Sequence, residues 1–389
     1  MKKPPLTEQR IDSQPSWVVR GGNVEMAITK LGAHMAPVTF CRNEENSVQP
    51  YHITPWQNEH LTGLAPVETP TRGDFFCLPF GGNREPYRGE RHPAHGETSG
   101  STWSLEDCAR DGAQVTLRIR LETKARPGVV RRSFTLIDGH NAVYCRTVVE
   151  GFRGRAPFAH HAILRTTGAD RSLRISTGKF ALGRTPPVPT ANPAAGEYQF
   201  LAHDAAFRSL ARVPSIFRNE PPCDCSAFPV RRGFGDLLEQ FERPAAGKRV
   251  PSWVAAVNVE EGWMWFALKD PASMPGRLFW IENHSRHGAP WNGRNCNLGI
   301  EDGCMYFDRG IAESSRPNPI SRTGIPTSFL FPGNRPVEIR YIQGAVHVPR
   351  GFDRIDKVRF ISGAAVFHSK AGAHFTVPVN HEFLFNGVL

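Results

Sequence analysis

Three places in the chain gather an acid, a base and a cation. The densest is residues 72–103, RGDFFCLPFGGNREPYRGERHPAHGETSGSTW, which holds Arg72, Arg84, Arg88, Arg91, His92, His95 and Glu97, with Phe75, Phe76, Phe80 and Trp103 set among glycines and prolines. So many breakers exclude a helix, and the reading is a short buried strand at 75–78 feeding a long irregular loop, the kind of segment that presents binding groups from a rigid scaffold. The second is His160-His161 inside the apolar run FAHHAILRTT. Neighbours on a strand point to opposite faces, so one of the two imidazoles faces a cleft or the core and the other its reverse. The third is Glu301 in NLGIEDGC, preceded by a loop with Glu282, His284, Arg286, His287 and Trp291. A carboxylate and an imidazole brought from distant strands to one cleft are the minimum for general acid and base work near neutral pH, because histidine titrates there and a desolvated glutamate is pushed up toward it. Spacing alone equally allows a hydrogen-bonded core His161 and an ion-paired Glu301 at a strand end.

The elements that must position these groups read as β. In VTLRIRLE, Val115, Leu117, Ile119 and Leu121 fall on one face and Thr116, Arg118, Arg120 and Glu122 on the other, the period of a half-buried strand. Residues 24–40 show the same alternation, broken near Gly32. Residues 129–137 and 142–150, joined by the turn-forming Asp138-Gly139, predict a hairpin, and 158–167 and 171–177 continue the meander. Residues 253–259 and 263–268 predict a second hairpin, with 277–282, 297–301, 337–342 and 358–361 as later strands. The stretch 236–241, DLLEQF, predicts a short helix ended by Pro244. Residues 1–16 read as a flexible leader and 183–232 as a loop-rich insertion, leaving 17–389 as one domain. Short strands with turn signals at this spacing predict an all-β fold, a large antiparallel β-sandwich with few short helices.

Composition narrows the function. The 389 residues include 33 Pro and 36 Gly, consistent with many turns. The net charge of +10 comes from 47 basic and 37 acidic residues spread along the chain, without the basic face or recognisable module of a nucleic-acid binder. No apolar run is long enough for a signal or a membrane span, so the expected compartment is the cytoplasm. The cysteines 41, 77, 108, 145, 223, 225, 296 and 304 form neither a disulfide framework nor a CxxC pair, and Cys223-Asp224-Cys225 spaces its thiols poorly for a metal. No metal is expected.

The segments RGDFFCLPFG, HGETSGSTW, FAHHAILRT and LGIEDGC, in that order, resemble the aldose 1-epimerase (galactose mutarotase-like) superfamily, and look especially like its glucose-6-phosphate 1-epimerase-type branch. The resemblance covers scattered segments from 24 to 301. It implies a large β-supersandwich and interconversion of sugar anomers by ring opening and reclosure. Carried over by local match, Glu301 is the base at the anomeric hydroxyl and His161, with His160 as the fallback, the acid at the ring oxygen. His95 and Arg72 position the sugar. No cofactor is implied, since both steps are proton transfers. This sequence departs from the pattern in three ways: Ser99 stands where the HGxxR arginine is expected, Ile163-Leu164-Arg165 follow the strand histidine, and only Asp236 offers itself for the central aspartate. Arg84, Arg88 or Arg91 could replace the missing arginine. Aromatic faces suit the C–H face of a pyranose, and Phe76, Trp103 and Trp291 are the candidates; Trp253, Trp263, Trp265 and Trp280 read as packing. The expected partner is a small-molecule sugar, with oligomeric state unread. Two other readings stand beside this one: a catalytically silent carbohydrate-binding protein on the same fold, and a cupin-like metal enzyme using His92, His95 and Glu97, whose spacing fits the cupin pattern poorly.

Overall fold

Every second residue of the Gln114–Thr123 strand, from Val115 to Leu121, is buried, as the alternation requires. The computed structural model describes residues 6–83, 85–243, 247 and 249–389. Among these, two large antiparallel sheets of eleven and nine strands carry most of the chain. One apolar core joins them, taking Val19, Met26, Phe76, Ala162 and Leu298 from the larger sheet and Val115, Phe134, Val143, Val254 and Trp265 from the smaller. The fold class is the expected all-β sandwich. No helix of the described residues is long and apolar enough to cross a membrane.

The nine-stranded sheet is covered on both sides. Val254 and Ala256 face the shared core, whereas Ala255 and Val257 face a second cluster with Phe352, Phe367 and Val377. That cover comes from a three-stranded sheet of Lys357–Ile361, Ala364–His368 and His374–Pro378. Burial on both faces explains why SWVAAVN and WMWFALK are almost continuously apolar.

Three expectations need correction. The Phe234–Phe241 segment is a strand, not a helix, paired along its whole length with Gly276–Asn283. Leu, Glu and Gln are good helix formers, but a ladder position between two strands overrides so short a preference. Residues 6–16 are not a loose leader, because Leu6–Ile11 pairs with Gln14–Gly21 as the edge of the larger sheet. The 183–232 stretch has only very short strands and 3₁₀ turns, yet it is packed: Phe200, Leu201, Phe207, Leu210 and Val213 are buried in the shared core.

The centre of the larger sheet runs Asp74–Cys77, Phe158–Arg165, Cys296–Cys304, Gly276–Asn283, Phe234–Phe241. In register, Phe75 lies opposite His161, His161 opposite Glu301, Glu301 opposite Leu278 and Leu278 opposite Glu239. Residues directly opposite share a face, so three pairings place an imidazole and two carboxylates in one row across the sheet.

Candidate active site

The row lies on the face turned away from the second sheet. Its neighbour His160 points the other way, fully buried, with Nδ1 2.9 Å from Asp74 Oδ2 and its ring stacked 4.3 Å from Tyr341. Gln343 Nε2 donates to the same Asp74 oxygen at 2.7 Å. His160 and Asp74 thus belong to a polar tie between the sheets, and His161 is the imidazole that faces outward.

Over the row sits a cavity of about 200 Å³, lined by His95, His161, Glu301, Trp280, Trp291 and Arg286 together with Phe75 and Asp308. At about 30 Å³ per water this is room for roughly seven waters, the scale of one small polar molecule. His161 Nε2 stands 3.3 Å from Glu301 Oε1. Burial pushes the His161 pKa well down, with His95 and His34 adding to it. Burial also pushes the Glu301 pKa well up, reinforced by Asp308 and Glu239 and opposed by Arg286. Both shifts favour the uncharged forms, a carboxylic acid facing an imidazole, over the ion pair. The pair holds one proton either way, and its position is free to change when charge appears nearby.

Three supports fix this geometry. Phe75 is stacked between His34 and His161, at 4.0 and 4.5 Å. His34 donates from Nε2 to the Ser99 carbonyl at 2.8 Å and accepts the Arg72 backbone N–H at Nδ1, and burial holds its pKa down to about 3. His95 closes the other side, 5.2 Å from His161 and edge-on to Phe80 at 4.9 Å. It does so from a left-handed backbone, φ 58°, a conformation that side chains larger than glycine adopt at a cost and that concentrates at functional sites. Burial, then Arg286, lowers its pKa to about 4. Gly299 is the third support: a Cβ there would lie 2.9 Å from Trp280 Cβ and 3.0 Å from Glu301 Oε1.

At the mouth, the Arg286 guanidinium stacks 5.2 Å from Trp280 and 4.6 Å from Trp291. Trp56 meets Trp291 edge-on at 4.7 Å. A smaller hollow of about 70 Å³ adjoins, sharing Trp280, Arg286 and Asp308 and adding Asp236. Asp236 Oδ2 accepts from Phe200 N and Leu201 N, both at 2.8 Å. Burial nevertheless raises its pKa to about 7.

Of the residues singled out from the sequence, Glu301, His161, His95 and Trp291 meet in the cavity, and Asp236 lies in the annex. Others do not. Arg72 is fully buried and donates to the Ile11 and Asp12 carbonyls at 3.0 Å and to Gln57, tying down the amino-terminal hairpin. Phe76 alternates to the core face, against Phe158 and His160. Trp103 is a core residue whose indole donates to Thr98 O at 3.0 Å. Arg84 lies outside the described residues. His92, His95 and Glu97 do not converge: His92 Nε2 pairs with Glu90 at 3.0 Å, and the Glu97 carboxylate accepts the Lys124 and Ala125 backbone N–H groups.

Among the lining residues that the sequence reading did not single out are Phe75, Trp280, Arg286 and Asp308. Phe75 was predictable once His161 was assigned outward, because strand alternation makes it the partner of Phe76. Trp280 was assigned to packing. Arg286 was noted only in passing, and Asp308 sits alone in a loop with no local signal.

No family model matches the sequence, and no curated protein does either. Solved structures do. A galactose mutarotase-like protein from Clostridium acetobutylicum superposes with a TM-score of 0.57 at 10% identity over 88% of this chain and 98% of that one. A galactose mutarotase related enzyme from Lactobacillus acidophilus gives 0.53 at 11%, over 89% and 100%. A Klebsiella pneumoniae protein, provisionally assigned as an aldose 1-epimerase, gives 0.58 at 10%, over 88% and 83%. The chain shares the fold of these galactose mutarotase-like structures.

Proposed function

We propose that this protein catalyses interconversion of the anomers of an aldose, with Glu301 and His161 as the paired base and acid. The observation that carries the reading is the 3.3 Å approach of His161 Nε2 to Glu301 Oε1 on the floor of an aromatic-walled cavity. With the shared proton on His161, the Glu301 carboxylate accepts the proton of the anomeric hydroxyl while His161 delivers its proton to the ring oxygen. The bond from C1 to the ring oxygen breaks, the electron pair of the former O–H bond becomes the carbonyl, and the open aldehyde forms. Rotation about the C1–C2 bond and the reverse transfers close the ring from the other face. Each transfer leaves the pair's proton count unchanged, so the enzyme is reset without an external acid or base. The neutral state favoured by burial is the one the pair occupies when the ring is open.

His95, neutral near pH 7 with a pKa of about 4, is suited to hydrogen-bond a hydroxyl. Arg286, which opposes the rise in the Glu301 pKa, steadies the carboxylate form that takes the hydroxyl proton, and Trp280 and Trp291 supply faces for C–H groups. Arg286 is the only Arg or Lys side chain lining the cavity among the described residues, against Glu68, Glu301 and Asp308. This balance gives a sugar phosphate no arginine clamp, and we take the substrate to be an unphosphorylated aldose. Magnetisation-exchange NMR on equilibrated glucose, galactose and xylose tests the proposal. Exchange between anomeric resonances accelerated in proportion to protein concentration supports it. Sugar binding with exchange at the buffer rate would instead mark a carbohydrate-binding protein.

A further inference from the structure

Far from the cavity, three unlike donor groups converge at one end of the sandwich. Cys41 and Glu44 lie in the loop bounded by the Phe40–Val48 bridge, and His347 ends the Val337–His347 strand of the other sheet. One donor atom from each lies within 4.8 Å of the other two. His347 Nε2 is 3.8 Å from Glu44 Oε2 and 2.5 Å from the Asn46 carbonyl. Cys41 is 1% exposed and held in a left-handed conformation, φ 52°, while its backbone N–H is fixed by Asn141 Oδ1 at 2.9 Å.

We propose that Cys41, Glu44 and His347 form a binding site for a divalent ion of the zinc class. Ligand bonds of 2.0–2.3 Å arranged tetrahedrally put donors about 3.3–3.8 Å apart. From separations of no more than 4.8 Å the three donors need to draw in by about 1.5 Å at most, which the partly exposed Glu44 and His347 side chains accomplish by rotation. A thiolate, an imidazole and a carboxylate together suit a borderline-soft ion and suit calcium or magnesium poorly. A carboxylate and a thiolate supply the two negative charges that balance the ion's two positive ones, whereas a protonated thiol would leave one uncompensated, so binding releases the Cys41 proton to solvent. Three protein ligands leave a fourth position to water. The ion would tie the 41–47 loop to a strand 300 residues later in sequence, stapling one sheet to the other. This inference does not depend on the proposed epimerase activity.

Cobalt(II) titration of the purified, chelator-treated full chain tests it. The expected result is one equivalent bound, with visible d–d bands of a four-coordinate site and a near-ultraviolet thiolate-to-metal band. Glu44→Gln and His347→Ala change partly exposed side chains and should weaken uptake roughly tenfold or more, and Cys41→Ser should remove the thiolate band. Zinc should raise the midpoint of thermal unfolding of the wild type and leave that of His347→Ala unchanged. The proposal is overturned if the wild type shows no thiolate band, or if the band persists at full strength in Cys41→Ser or His347→Ala, which would put the ion elsewhere, for example at Cys223 and Cys225.

Discussion

Replacing Asp236 by Asn should stabilise the protein at alkaline pH and do almost nothing at acid pH. Burial raises this carboxyl from 3.8 to about 7 in the folded chain. Between those values the native state holds a proton that the unfolded state has released, so stability falls as pH rises. At about 1.4 kcal/mol per unit, the shift of roughly three units corresponds to at most about 4 kcal/mol lost by about pH 8. Side-chain relaxation and water entry make about 2 kcal/mol the working expectation. Asn keeps an oxygen for the Phe200 and Leu201 N–H groups, both of which approach Asp236 Oδ2 at 2.8 Å, and it carries no charge to desolvate. Urea unfolding of wild type and variant at about pH 3 and about pH 8 should give curves that nearly coincide at the lower value. At the higher, the variant's midpoint should move up by the amount above divided by the slope. An equal effect at both pH values would refute the reasoning, as would a variant less stable than wild type at about pH 8.

Arg72→Ala should cost about 2–4 kcal/mol by leaving the part-buried Ile11 and Asp12 carbonyls and the buried Gln57 without their donor, while activity per folded molecule, read by titrating competent sites, stays close to wild type. Trp291→Ala should raise KM about threefold to tenfold, for a stacking loss of about 0.5–1.5 kcal/mol, with kcat changed far less. Gly299→Ala puts a methyl 2.9 Å from Trp280 Cβ and 3.0 Å from Glu301 Oε1 and should lower kcat more than it lowers the unfolding midpoint, because the carboxylate is the mobile end of a side chain whereas Trp280 Cβ is held by its strand.

Strand alternation made much of this molecule readable. It predicted that His160 and His161 part company, and the structure sends one into the Asp74 tie and the other into the cavity. The same rule applied to Phe75 and Phe76 places Phe75 on the cavity face and Phe76 in the core. Propensity failed at Phe234–Phe241, where a segment of good helix formers is held as a strand by neighbours far away in sequence. Arg72 misled because an arginine beside a glycine and two phenylalanines looks like a binding group, whereas its guanidinium is consumed by backbone carbonyls sixty residues upstream. Arg286 was hidden for the opposite reason: its place is set by two tryptophans, one of them on a neighbouring strand. Cys41 and His347 share no local spacing at all, so only folding brings them together.

The central claim is that Glu301 moves a proton and does not merely hold a hydroxyl. Exchange rates between aldose anomers, measured for wild type and Glu301→Gln at matched sugar occupancy, test this most directly. General base catalysis is worth about 10²–10⁴-fold, so the variant should bind sugar with a Kd within a few-fold of wild type yet lose nearly all accelerated exchange. A variant that exchanges anomers as fast as the wild type, or a wild type no faster than buffer, would contradict the account.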